Sequence, residues 1–263
     1  MHTSTDSILA TSLRRMLLAA AVFAGTVPAG STLASPLDWI GGEKVQGSGA
    51  IKKQTRELAH FTGVSLNLPG SMEVRIGNTE SITIEADDNI VPLIDTVIES
   101  GVLKVRPIKR NMNLQARHLK FIVNAKQVER LSLGGSGGIE ADALRGKKIT
   151  VDLGGSGSIS VKGMEAEAIA LSVGGSGNLK SGAGSAGSLS VSIGGSGEVD
   201  VGQVRSRDAS VSVAGSGEAT VWVSNDLSVT IAGSGDVNYY GDPRLSRSVV
   251  GSGGTRRLGG APR

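Results

Sequence analysis

The sequence contains no cysteine, and aromatic residues make up only 3% of its 263 residues. The absence of cysteine excludes disulfides, cysteine metal sites, a thiol nucleophile and the acylated cysteine of a lipoprotein. With so few rings, a core has to be built from Val, Ile, Leu and Ala, which suit a narrow interior. After residue 34 the only histidines are His60 and His118, so a histidine-rich zinc site is excluded as well.

The first 34 residues predict an export signal. Arg14 and Arg15 precede the apolar run 16–27, and Thr32-Leu33-Ala34 offers a small-x-small cleavage pattern before Ser35. The apolar run is shorter than the roughly twenty residues that a membrane-spanning helix needs. No later segment is a transmembrane candidate. We therefore expect an exported protein in the periplasm or on the cell surface. Its net charge of +3 says little about its partners.

A Gly-Ser-Gly motif recurs at intervals of 20, 20, 20, 20, 18 and 18 residues. Its serines are Ser136, Ser156, Ser176, Ser196, Ser216, Ser234 and Ser252. A glycine- and serine-rich linker would show no further order, but aliphatic residues stand three and five positions before most of these serines and three positions after them. The residues between the aliphatic ones are mostly Ser, Thr or Asp. Such strict alternation buries one face of a strand and leaves the other in water.

The period and the alternation predict an all-β solenoid with repeats of about 18–20 residues. Equivalent residues of successive rungs would stack about 4.8 Å apart and form ladders. The Gly-Ser-Gly motifs would be structural corners. There a Cβ would force an unfavourable φ or crowd the neighbouring rung. The aliphatic columns would supply the stability, at roughly 1.5–3 kcal/mol for each fully buried side chain.

The repeat extends upstream in a less regular form. Residues 64–76, VSLNLPGSMEVRI, align without a gap on residues 149–161, ITVDLGGSGSISV. We predict a β-solenoid domain over residues 56–258, with residues 87–100 bulging out or closing one end. Residues 35–55 are predicted to be a flexible lead, and residues 259–263 a disordered tail.

The chain resembles a family of exported bacterial proteins described as "putative auto-transporter adhesin, head GIN domain". The closing segment 232–254, AGSGDVNYYGDPRLSRSVVGSGG, carries the most specific part of the resemblance, a Tyr-x-Gly-x-Pro between two GSG motifs. The resemblance spans about residues 56–258. It implies a right-handed β-helix-like fold and a location in the cell envelope, and it transfers no catalytic residue.

Several known chemistries are excluded by the residues in the repeat. The aspartate of calcium-binding nonapeptides would stand where the chain has Ile139, Ile159, Leu179, Val199, Ala219 and Val237. Gly134 to Gly138 fit the G-x-S-x-G pattern of a nucleophile elbow, but the same serine recurs in every rung, so we interpret it as a corner. There is no P-loop. We therefore predict no cofactor and no metal site.

Two charged features are candidate interaction sites. Glu198, Glu218 and Asp236 follow three successive corner serines by two positions, so they should form a ladder of carboxylates that could bind a cation or a basic partner. We call these three residues the acidic ladder and expect Arg205 and Arg207 to relieve its repulsion. Paired acids also occur in polysaccharide-cleaving β-helices. A solvated face without a function is the alternative.

The second feature lies between residues 104 and 130, where the sequence has eight Lys or Arg residues and only one acidic residue, Glu129. Its central residues, which we call the basic strip, are Lys109, Arg110, Arg117 and Lys120. The strip could meet anionic lipid headgroups or acidic polysaccharide, or simply keep an irregular rung soluble. Nucleic acid is not an expected partner, because no aromatic residues interleave with the cations. Trp222, Tyr239 and Tyr240 near the last rungs could stack on sugars or cap the solenoid.

Three functions follow from these patterns. The first is a non-enzymatic adhesion or interaction module of the cell envelope that binds a glycan, an anionic surface or a protein through outer ladders. The second is a structural protein that self-associates through open solenoid ends into a homo-oligomer. The third is a polysaccharide-active enzyme that uses the acidic ladder. The repeat without a reactive centre favours the first.

Overall fold

The computed structural model describes residues 43–262, and the predicted export signal lies outside these residues. The described part is nearly all β, and its one helical element is a single 3-10 turn, Val91–Leu93. No helix in this part is long and apolar enough to cross a membrane. The strands of the N-terminal third are β1 (Lys44–Gln46), β2 (Ile51–Glu57), β3 (Gly63–Leu66), β4 (Ser71–Ile76), β5 (Ser81–Asp87), β6 (Ile94–Glu99), β7 (Val102–Pro107), β8 (Asn113–Gln115) and β9 (Leu119–Ala125).

The remaining strands build regular rungs and confirm the predicted β-solenoid, which has about six turns. They are β10 (Arg130–Gly135), β11 (Gly138–Gly155), β12 (Ser158–Gly175), β13 (Asn178–Ser181), β14 (Gly184–Gly195), β15 (Glu198–Gly215), β16 (Glu218–Gly233), β17 (Asp236–Tyr240), β18 (Arg244–Gly251) and β19 (Gly254–Gly259). Neighbouring rungs pair in parallel at the spacing of the repeat, so that Ile139 faces Ile159 and Val151 faces Leu171.

The core lies inside the solenoid, where the predicted aliphatic columns stack. The residues three positions before the corner serines are no more than 2% exposed from Leu133 through Ile231. The column ends at Val249 in the last rung, which is half-buried. Alternation therefore fixes which side chains enter the core, and the repeat places each of them on its equivalent in the next rung.

Each corner serine lies at a break between two strands, and the two glycines beside it are needed for different reasons. The preceding glycine has a φ of +114° to +131° from Gly135 through Gly251, a region that favours glycine. The following glycine packs directly on the previous rung. A Cβ on Gly157 would overlap the carbonyl oxygen of Gly137 and lie 2.8 Å from Leu133 Cδ2.

The early rungs stack in an order that differs from the chain order. Strands β3 and β4 pair on one side with β10 and β11 and on the other with β7 and β9. The predicted gapless alignment is correct, but its register is wrong by two residues. Val64 shares a column with Leu131 and Val151, and Met72 shares one with Ile139 and Ile159. A shift of two keeps every side chain on its face, so alternation could not detect it.

Antiparallel strands close the N-terminal end of the stack. β6 pairs antiparallel with β7, β5 with β9, and β2 with β5. Residues 94–99 thus help to close the end. The flexible lead predicted through residue 55 is corrected here, because β1 and most of β2 fall within it. Asp87, which is fully buried at the end of β5, accepts hydrogen bonds from the backbone N–H groups of Gly49 (2.6 Å) and Arg117 (3.0 Å) and so holds this lead in place.

The C-terminal end is open by comparison. Among the described residues, β18 pairs only with β16, and β19 pairs only with β17. Leu245, Val250 and Leu258 in this last rung are 42%, 74% and 39% exposed. Residues 260–262 follow without regular secondary structure, and residue 263 lies outside the described part.

Candidate interaction surfaces

The acidic ladder exists as a column of register neighbours. Glu198 pairs with Glu218, and Glu218 pairs with Asp236. The Oε1 atom of Glu218 accepts a hydrogen bond from Asn238 Nδ2 at 2.5 Å. The Oδ1 atom of Asp236 accepts one from the backbone N–H of Gly254 at 2.9 Å. Two of the three carboxylates therefore accept hydrogen bonds from groups of the next rung.

The cations predicted to relieve the acidic ladder do not reach it. Arg207 pairs with Asp208 at 2.9 Å, and the guanidinium of Arg205 lies 5.8 Å from the ring centre of Trp222. Arg256 lies nearer, since its Nε donates to Asn238 Oδ1 at 3.2 Å, and Asn238 in turn donates to Glu218. Sequence reasoning missed Arg256 because its column includes residues as different as Lys180 and Thr220.

The surface around the ladder is a shallow depression of about 380 Å³, which Glu218, Asp236, Asn238 and Arg256 help to line. In the described part, no three His, Cys, Asp or Glu residues stand close enough together to hold a metal ion. The exposed carboxylates can accept hydrogen bonds from a ligand. Their observed contacts link neighbouring rungs, which is a structural role.

The cations between residues 104 and 130 are largely matched by carboxylates from other segments. The ion pairs are Lys104–Glu99 (2.5 Å), Arg106–Glu99 (2.8 Å), Lys109–Glu43 (2.9 Å), Lys120–Glu73 (3.9 Å) and Lys126–Glu80 (3.5 Å). Glu129 is thus the only acid among these cations along the chain, but other segments supply acids in space. The parallel stacking of rungs and the antiparallel strands at the N-terminal end place these acids next to the cations. Some of the acids are far away in the sequence, as Glu43 is from Lys109.

Within the basic strip, only Arg110 and Arg117 have no carboxylate within 4 Å among the described residues. Lys109 and Arg110 lie in the loop after β7, Arg117 follows β8, and Lys120 lies on β9. The strip is therefore spread over two loops and a strand, and the positive charge of two of its members is compensated.

Trp222 and Tyr240 are half-buried register neighbours on β16 and β17. They do not cap the solenoid, because β19 covers β17. The aromatic pair and Arg205 form a small flat patch on the side of the rungs.

The most regular exposed surface carries no charge and was not recognised as a surface from the sequence. We call it the hydroxyl face. In the first two regular rungs the positions six and four before the corner serine hold Arg130, Ser132, Thr150 and Asp152 and are not part of this face. The hydroxyl face consists of the residues four and six positions before each corner serine from Ser176 through Ser252. Apart from Ala170, they all bear hydroxyls and are exposed, as follows: Ser172, Ser190, Ser192, Ser210, Ser212, Ser228, Thr230, Ser246 and Ser248. The signal was present in the sequence as two adjacent polar columns.

These observations define the class of protein as a parallel β-solenoid whose outer faces are regular ladders of small or charged side chains. Residues 60–243 match the family described as "putative auto-transporter adhesin, head GIN domain", and the chain belongs to this family. The family membership that the sequence resemblance indicated is thereby confirmed. An adhesin family implies an exported or cell-surface protein.

Solved structures share the fold. A "putative adhesin" from Bacteroides fragilis superposes with a TM-score of 0.76 at 19% identity, covering 81% of this chain and 100% of that one. A "putative lipid binding protein" from Parabacteroides distasonis gives 0.69 at 23% identity, covering 82% and 100%. A "putative adhesin" from Parabacteroides merdae gives 0.66 at 20% identity, covering 82% and 99%. No curated protein shows significant sequence similarity to the chain.

Proposed function

We propose that the protein is a non-enzymatic adhesion module of the cell envelope that binds an extended partner through its outer ladders. The observation that carries this proposal is the hydroxyl face, which presents the same small donors and acceptors in successive rungs about 4.8 Å apart. A partner that is itself repetitive, such as a glycan chain, can make equivalent contacts at each rung. Many weak contacts along one face then add up through multivalency.

Family membership and the names of the structural neighbours support a binding role. The proposed partners are an envelope glycan, an anionic surface or a protein. The uncharged hydroxyl face favours the glycan. Arg110 and Arg117 in the basic strip favour an anionic surface, and the acidic ladder would suit a basic protein.

The first experiment places the protein relative to the outer membrane. Intact cells are treated with a protease too large to cross that membrane, and the chain is followed by immunoblot. Cells whose outer membrane has been opened serve as the comparison. Degradation in intact cells puts the partner outside the cell, whereas degradation only after opening puts it in the periplasm.

The second experiment tests the hydroxyl face with purified protein and isolated envelope polysaccharide. Ser172→Glu with Ser212→Glu places two charges on the hydroxyl face, two rungs apart. The control is Ser158→Glu with Ser160→Glu, which adds the same charge to exposed positions of a different strand segment. We expect the first double variant to lose most of the binding and the control to keep it. Equal binding by both variants would contradict the use of this face.

The basic strip is tested with vesicles that contain anionic lipid. Neutralising Lys109, Arg110, Arg117 and Lys120 should weaken binding, and added salt should reduce the binding of the unmodified protein. Because Glu43 and Glu73 compensate two of these cations, most of the effect should come from Arg110 and Arg117. Unchanged vesicle binding by the fourfold variant would remove the strip as an interaction site.

Self-association is a second candidate function, favoured by the open C-terminal end. An exposed parallel edge with uncovered apolar side chains is a template for pairing with another chain. Sedimentation should then show oligomers that increase with protein concentration and disappear in Leu245→Lys with Val250→Lys. A protein that stays monomeric at the highest accessible concentration would exclude this function.

A further inference from the structure

We propose a phosphate-binding site in the depression between Arg130 and Lys148, near the N-terminal end of the regular rungs. The depression has a volume of about 280 Å³ and lies beside the strand segments that begin the first parallel rungs. The inference deepens the proposed function, on which it rests, by naming one ligand group and one site. Neither Arg130 nor Lys148 belongs to the basic strip.

The depression lies beside a column of register neighbours in which one member is glycine. Across the rungs, Val102 pairs with Gly63, Gly63 with Arg130, and Arg130 with Thr150. Gly63 has no side chain, so the side chains of Val102 and Arg130 pack close over its backbone. A Cβ at Gly63 would lie 2.8 Å from Val102 Cγ2 and 3.4 Å from Arg130 Cβ.

Several of the residues that line the depression carry hydrogen-bond donors without partners in the described part of the chain. The side chains of Arg130 and Lys148 make no ion pair there, although most cations of the neighbouring segment do. Thr62, Ser100 and Thr150 line the same depression, and their hydroxyls make no side-chain hydrogen bond within residues 43–262. Two cationic residues and three hydroxyl-bearing residues thus line one space.

The turn that carries Ser100 is held in a defined conformation. Ser100 and Gly101 connect the antiparallel strands β6 and β7, and their φ values of +52° and +75° are those of a type I′ hairpin turn. The carbonyl oxygen of Gly101 accepts hydrogen bonds from the N–H groups of Thr62 and Gly63, at 3.0 and 3.1 Å. The wall of the depression is therefore part of the hydrogen-bonded framework and does not have to form when a ligand binds.

One carboxylate also lines the depression. Glu129 is half-buried, accepts a hydrogen bond from Gln127 Nε2 at 3.0 Å, and rests against Gly146, where its Oε1 lies 2.5 Å from the position that a Cβ would take. Its charge disfavours anions but is opposed by two cations. A guanidinium fork, an ammonium and several hydroxyls match the oxygen-rich surface of a phosphate group, which can accept from all of them at once.

The test compares two double variants that each remove two positive charges. Arg130→Gln with Lys148→Gln removes the cations of the depression. Lys52→Gln with Lys147→Gln removes two exposed cations that lie outside the basic strip, do not line the depression and, within the described part, also lack an ion pair. Circular dichroism and thermal unfolding show whether each variant remains folded. Binding is measured to inorganic phosphate and to phosphatidylcholine vesicles with and without phosphatidylglycerol.

We expect the unmodified protein to bind phosphate, and the first variant to lose about tenfold or more in affinity, because hydrogen bonds to charged groups are lost. The control variant should change by about twofold or less. Binding to both free phosphate and the anionic vesicles, with free phosphate competing, indicates a lipid-borne phosphate. A response to free phosphate alone indicates a soluble phosphorylated ligand.

Two results would overturn the site. One is an equal loss in both double variants, which would mean that only net charge matters. The other is a lack of binding to phosphate and to both kinds of vesicle. If envelope polysaccharide still binds in that case, the phosphate site is wrong while the proposed adhesion function stands.

Discussion

The N-terminal third, residues 43–125, and the regular rungs, residues 130–259, are stabilised in different ways. The first region uses particular side chains once each, such as the buried rings of Phe61 and Phe121 and the buried carboxylate of Asp87. The second region repeats one arrangement in each rung. Aliphatic columns fill the interior, and glycines stand where the backbones of adjacent rungs are in contact. Specific polar contacts close the stack at one end, and repetition then extends it, so that each rung contacts mainly its neighbours.

The comparison suggests where each region is most easily broken. In the rungs the weak points are positions where any Cβ collides with backbone, and the outward-facing side chains are replaceable. In the N-terminal third the weak points are individual polar and aromatic side chains. Gly70 in the N-terminal third is a position of the same kind as the rung glycines. A Cβ there would lie 2.5 Å from the carbonyl oxygen of Leu119.

The largest effect is expected from Gly157→Val in a regular rung. The new side chain would overlap the carbonyl oxygen of Gly137, so two rungs would have to separate. We expect a loss of about 3–5 kcal/mol in the free energy of unfolding, the range of severe core defects. Ser158 is exposed, so the neighbouring change Ser158→Val should lower the free energy of unfolding by less than about 0.5 kcal/mol. Both variants are measured by urea unfolding. Similar losses in the free energy of unfolding would contradict the role given to the glycine.

An intermediate effect is expected from Asp87→Asn in the N-terminal third. Burial disfavours the charged form of Asp87, but the backbone N–H groups of Gly49, Arg117 and His118 outweigh it and lower the pKa of the carboxyl below its usual range. Asparagine keeps one acceptor oxygen and loses the other together with the charge. The variant should therefore unfold at a lower urea concentration than the unmodified protein at neutral pH.

The pH dependence gives Asp87 a signature of its own. Because the pKa is lower in the folded than in the unfolded protein, the carboxylate stabilises the fold above the unfolded value of about 3.9. This contribution disappears as the pH falls through the lower, folded pKa. The difference in unfolding midpoint between the unmodified protein and Asp87→Asn should thus shrink as the pH is lowered below about 4. A difference that stays constant over this range would mean that the charge of Asp87 does not hold the N-terminal lead.

The regular rungs could be predicted in detail because Gly-Ser-Gly fixes the register every 18–20 residues. The first rungs lack this landmark. Alternation assigned Val64 and Met72 to the correct face but left their columns uncertain by two positions. Nothing in the local pattern reveals that β3 and β4 stack between later strands, or that Glu43 meets Lys109, because those contacts depend on the path of the whole chain. Of the sites predicted from the sequence, only the acidic ladder follows directly from the repeat.

The smallest effect is expected from Glu218→Gln in the acidic ladder, and it separates a functional ladder from a merely tolerated one. Glutamine keeps an oxygen that can accept the hydrogen bond from Asn238 and removes the repulsion by Glu198 and Asp236. Stacked like charges on one sheet face destabilise it by a few tenths of a kcal/mol, so the variant should be more stable by about 0.5 kcal/mol or less. High salt should abolish this gain. If Glu218→Gln is at least as stable as the unmodified protein but no longer binds a basic partner or cleaves a glycan, the carboxylate serves function at the expense of stability. If neither binding nor turnover changes, the ladder is a solvated face, and the search for the partner belongs on the hydroxyl face.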